Sequence, residues 1–76
     1  MYTSTIMIKD LDTAREFVDK MGKYMDTNII LKSGDYAIDG HSIIGIISLD
    51  ITKPIEVELG GNIPDELIDT LKQYAI

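Results

Sequence analysis

The stretch Ser42-Ile43-Ile44-Gly45-Ile46-Ile47-Ser48-Leu49 decides how this chain is read. Its apolar centre, Ile43 to Ile47 with Gly45 counted in, is the longest uninterrupted apolar run in the sequence. A run this short suits a buried strand or a helix equally well. Ser42 ahead of it is a good helix N-cap, because its hydroxyl can accept from a free N–H of a first turn. The residues alone leave the two readings open, and the flanking segments set the context.

Downstream, Pro54–Leu59 is the cleanest strand. Ile55, Val57 and Leu59 alternate with Glu56 and Glu58, which predicts one buried face and one wet face. Gly60-Gly61-Asn62 ends it, and Pro64, Asp65 and Glu66 open a last helix with Leu67, Ile68, Leu71 and Ala75 as its apolar stripe. Upstream, Asn28–Ser33 and Tyr36–Asp39 read as a hairpin around Ser33-Gly34-Asp35. Before that, Leu11, Ala14, Val18, Met21 and Met25 recur at spacings of three and four. They predict an amphipathic helix from about Asp12 to Met25, with Phe17 and Tyr24 beside the stripe. Residues 3–9, with Ile6 and Ile8 on one face, read as the first strand. The order β-α-β-β-(α)-β-α implies an α+β architecture, an antiparallel sheet covered on one side.

Composition narrows the function. The chain has 76 residues and is 45% hydrophobic, which suits one domain over residues 1–76 with a single small core. It contains no cysteine, so disulfides, cysteine-based zinc sites and thiol chemistry are excluded. The formal charge of −6 makes it a poor partner for a phosphate backbone, and no nucleic-acid binding is expected. No apolar run approaches the roughly 20 residues that cross a bilayer. The N-terminal residues lack the basic start and apolar stretch of a signal peptide, so a cytoplasmic, membrane-free protein is expected.

The segment from Lys23-Tyr24 through Asp50 resembles the HPr family, the phosphocarriers of the bacterial sugar phosphotransferase system. The matching residues are Lys23-Tyr24, Asn28–Leu31 and above all Ser42–Leu49, where the family reads Ser-Ile-Met-Gly-Val-Met-Ser-Leu. The resemblance implies an open-faced β-sandwich, with a four-stranded antiparallel sheet and three helices on one face. It also implies that Ile43–Leu49 is the short second helix.

One departure bears on function. In the family a histidine within Gly-Ile-His-Ala-Arg-Pro-Ala caps the first helix and carries the phosphoryl group. Here the stretch is Lys9-Asp10-Leu11-Asp12-Thr13-Ala14-Arg15-Glu16. An ungapped match puts Asp10 at the histidine and Asp12 at the arginine, whereas a match on Ala14-Arg15 puts Thr13 at the histidine. Either way the imidazole and the proline are absent. An acid such as Asp10 or Asp12 would repel an incoming phosphoryl group.

The resemblance assigns further roles. Ser42 matches the serine that a dedicated kinase phosphorylates, and a phosphate there would meet free N–H groups of the helix start. A plain N-cap is the alternative. Ile44 and Ile47 match two methionines of a docking patch, with Ile43 and Ile46 expected to face inward and Arg15 beside them. Isoleucine in place of flexible methionine implies a narrower partner range.

Other candidates fail on their residues. His41 is expected to be a solvated loop histidine, since adjacent His and Ser seldom form a catalytic pair. Asp10-Leu11-Asp12 lacks the later ligands of a calcium loop. Gly40 and Gly45 have a phosphate loop's spacing, but Ile46 and Ile47 stand where Lys and Ser/Thr are needed. Glu56 and Glu58 are expected to form a solvated face. No cofactor, metal or enzymatic activity is expected. The reading is an HPr-like, non-catalytic regulatory module. It resembles the family's catabolite-repression paralogue, which lacks the histidine and keeps the serine. Its expected partners are proteins: phosphotransferase components, HPr kinase or a transcriptional regulator. The alternative is a working phosphocarrier with a non-standard acceptor, Asp10 or His41.

Overall fold

A computed structural model describes residues 1–76. Its elements are β1 (Tyr2–Ile6), α1 (Leu11–Met21), β2 (Thr27–Ser33), β3 (Tyr36–Asp39), α2 (Ile43–Ile47), β4 (Ile55–Gly61) and α3 (Asp65–Lys72). The strands form one antiparallel sheet in the order β1-β4-β2-β3. This is the expected four-stranded sheet with three helices, and the ambiguous isoleucine run is a helix that stops at Ile47, short of the expected Leu49, because the Ser48 and Leu49 N–H groups bond three residues back and tighten the chain into a turn.

Alternation sorts the two faces of the sheet. Ile55, Val57 and Leu59 on β4 and Ile29 and Leu31 on β2 are buried under the helices with Ile6 and Ile8. The opposite face carries Thr3 and Thr5 paired with Glu58 and Glu56, which in turn pair with Ile30 and Lys32. There Lys32 Nζ lies 2.6 Å from a Glu58 carboxylate oxygen. The hairpin turns at Gly34, whose φ of 58° is positive while that of Asp35 is not. A positive φ at the first central position alone is the type II′ pattern, whose twist suits paired strands.

Several boundaries and faces differ from expectation. α1 stops at Met21. The N–H groups of Lys23 and Tyr24 then bond three residues back, to Lys20 and Met21, so the chain tightens into turns before Met25. The buried side of α1 is Ala14, Phe17 and Met21, while Leu11 and Met25 are exposed. Just after α3, Tyr74 rather than Ala75 completes the core beside Leu67 and Leu71. The Tyr74 ring meets Phe17 edge-on at 5.3 Å, and its hydroxyl donates to Glu16 Oε1 at 2.7 Å. Pro64 is the cap residue of α3, not part of its first turn.

Both edges of the sheet are treated differently. Beside β1, Ile6 bridges to Ala75, and the Ile76 N–H donates to Thr5 O at 3.2 Å. The outer edge of β3 has no strand beside it.

Candidate functional site

Two helix starts and the apolar residues beside them form the site. At the start of α1, Asp10 is extended (φ −161°, ψ 177°), and its Oδ1 accepts the Thr13 N–H at 2.7 Å. Asp10 therefore occupies the cap position of α1. Its hydrogen bonds with Thr13 hold its carboxyl below the usual carboxylate range. The cap is an anion at neutral pH. Asp12 and Arg15 project from the same exposed turns, and Thr13 is half-buried.

At the start of α2, Ser42 Oγ accepts the Gly45 N–H at 3.0 Å, and Ser42 O accepts the Ile46 N–H at 3.0 Å. A Cβ on Gly45 would sit 3.1 Å from Ile38 Cδ1, so the glycine lets α2 lie close against β3. Ile46 is fully buried and Ile43 half-buried. Ile44 and Ile47 point away from the core, 75% and 50% exposed.

The fold brings these two helices together. Leu11, Arg15, Ile43 and Ile47 line one small cleft between α1 and α2. Arg15 makes no ion pair within 4.0 Å, although Glu16, Asp19 and Val18 border a second shallow depression with it. Ile47 and Arg15 therefore border the same cleft, and Ile44 stands exposed on the same short helix. Leu11 is the residue that sequence reasoning missed: it is 59% exposed at the cleft. A sharper reading of the periodicity would have found it. With about 100° per residue, a stripe centred on Ala14, Phe17, Met21 and Tyr24 leaves Leu11 well to one side.

His41 is elsewhere and is not solvated. Its Nδ1 lies 2.9 Å from Asp39 Oδ1, its Nε2 lies 3.3 Å from Tyr24 O, and 15% of its side chain remains exposed. That position is at the far end of α1 from Asp10, and the 11 residues of that helix span about 16 Å at about 1.5 Å per residue. The sequence signal was the Asp39-X-His41 spacing, where an Asp side chain accepts from the N–H two residues on. Glu56 stays on the open face, and Glu58 is half-covered there by its pairing with Lys32. No three or more histidine, aspartate or glutamate side chains converge to hold a metal ion.

The chain is similar in structure to the crystal structure of HPr-C-His from Thermoanaerobacter tengcongensis. The match has a TM-score of 0.77 and covers 96% of this chain and 93% of that one, with 24% of residues identical. The fold is thus the HPr-like open-faced β-sandwich. No family model and no curated protein matches the sequence.

Proposed function

We propose that this chain is an HPr-like, non-catalytic regulatory and protein-interaction module related to the sugar phosphotransferase system. It docks protein partners through Arg15, Ile44 and Ile47, with Leu11 completing the apolar rim. One observation carries the reading: the apolar side of α2 is exposed beside an unpaired arginine, while the cap of α1 holds an ionised carboxylate and no imidazole. Likeness to an HPr supports the relation to phosphocarriers. The apolar patch beside a free guanidinium suits an anchored, charge-steered contact with a protein. The degenerate phosphocarrier loop, Asp10, Asp12 and Thr13, then acts as a helix start. We assign the chain to the cytoplasm on the same reading.

Ser42 is the proposed phosphorylation site. It is half-buried with its oxygen on the Gly45 N–H, so phosphorylation would exchange one cap bond for a phosphate at the same helix start.

Incubation with phosphoenolpyruvate and the general phosphotransferase enzyme tests the central claim. No acid-labile phosphate should appear on the chain. A phosphohistidine on His41, or a hydroxylamine-sensitive acyl phosphate on Asp10, would instead establish a phosphocarrier with a non-standard acceptor. HPr kinase with ATP should label the wild-type chain and not Ser42→Ala.

A further inference from the structure

His41 sits between two hydrogen-bond acceptors. Nδ1 faces the Asp39 carboxylate at 2.9 Å, and Nε2 faces the Tyr24 carbonyl at 3.3 Å. A neutral imidazole has one N–H and one lone pair. In one tautomer the lone pair would face Tyr24 O, and in the other it would face Asp39 Oδ1. The imidazolium alone donates at both nitrogens.

The two acceptors belong to separate parts of the fold. Asp39 ends β3, and its Oδ1 also accepts the His41 backbone N–H at 2.9 Å. Tyr24 lies in the turn after α1, where its carbonyl also accepts the Thr27 N–H at 3.1 Å. The ring therefore ties the β3–α2 connection to the far end of α1. Ser42 follows directly: its N–H donates to Asp39 O at 3.1 Å, and its hydroxyl caps α2.

We propose that His41 is a proton-operated latch: its charged ring fastens the start of α2, with Ser42 and the exposed isoleucines, onto the turn that follows α1, and its neutral ring lets that start loosen. Asp39 is the charged group that touches the ring. Met25, Thr27, Asn28, Ile29 and Ile30 line the same depression and are uncharged. Lys23 and Asp26, on either side of the Tyr24–Met25 turn, are exposed and of opposite sign. The Asp39 carboxyl is held below the usual range by the His41 backbone N–H and ring. The carboxylate therefore keeps its charge in mild acid. Fastening rises as the pH falls from alkaline to mildly acidic, and it fades only when Asp39 itself is protonated.

The chain has a single histidine, so its ring signals are unambiguous by NMR. The test compares amide hydrogen exchange at Gly45 and Ile46 at pH 5.5 and pH 8, corrected for base catalysis. Protection should be about five-fold greater at pH 5.5, the change expected from one net hydrogen bond. His41→Gln should remove that pH dependence, and Asp39→Asn should reduce it. At pH 5.5 both ring nitrogens should carry slowly exchanging, hydrogen-bonded protons. Equal corrected protection at the two pH values, or the same dependence in His41→Gln, overturns the latch. Should His41→Gln not fold, the wild-type protection and ring signals decide the matter alone.

Discussion

The starts of α1 and α2 use the same device with different contents. Each is an extended residue whose side-chain oxygen accepts an N–H three residues on: Asp10 from Thr13 and Ser42 from Gly45. The first carries a charge, is fully exposed and introduces an 11-residue helix anchored by Ala14, Phe17 and Met21. The second is neutral, half-buried and introduces a five-residue helix with Ile46 as its one fully buried anchor. Capping geometry is thus indifferent to whether the acceptor is a carboxylate or a hydroxyl. The chemistry open to each position is not. A carboxylate cap repels phosphoryl groups, whereas a serine cap is neutral and carries a hydroxyl.

Removing the anchor of the second start should have the largest effect. Ile46→Ala is expected to cost about 2–5 kcal/mol, measured by urea denaturation, since α2 has no second fully buried side chain to hold it. A loss below about 1 kcal/mol would mean that α2 is secured by its cap and loop contacts instead.

Ser42→Ala should cost about 1 kcal/mol, and Ser42→Asp should recover most of it by restoring an acceptor. If aspartate fails at this position, the equivalence of the two caps breaks.

Asp10 tests the converse. Its carboxyl titrates below the ordinary range in the folded chain, so its contribution is present above about pH 4, the unfolded value, and is lost as the pH falls through the folded value. Asp10→Asn keeps the cap but has no charge to lose. Denaturation midpoints at pH 7 and pH 3 should therefore converge in the variant relative to wild type. An unchanged acid dependence would transfer that role to Asp39 or Asp50, whose carboxyls are also held low by hydrogen bonds.

The smallest effect on stability belongs to Ile44→Asp, within about 0.5 kcal/mol because the side chain lies largely in water. The same change should abolish capture of protein partners in a pulldown. Retained capture would remove α2 from the docking face.

Local pattern carried most of the fold into view. The alternation of Ile55, Val57 and Leu59 with two glutamates required a half-buried strand, and Gly34 marked the hairpin. The isoleucine run was different, since neither its length nor its composition distinguishes strand from helix, and its resemblance to a family segment supplied the answer. What stayed hidden depended on neighbours distant in sequence. Leu11 is the exception, since a stripe centred on Phe17 already leaves it to one side of α1. Tyr74 displaced Ala75 from the core by reaching Phe17 and Glu16. For the site, the resemblance to a family segment singled out Ile44 and Ile47, but nothing near His41 in the chain announces the Tyr24 carbonyl.

The short C-terminal segment beside β1 has a further consequence. Stacking of sheets into an extended cross-strand polymer needs two adhesive borders on every molecule. Ala75 and Ile76 cover the Thr5–Ile6 end of one of them, so the stretch of β1 open to strand addition is shorter than that strand. Peeling away those two residues would lengthen that border and favour a contact that propagates.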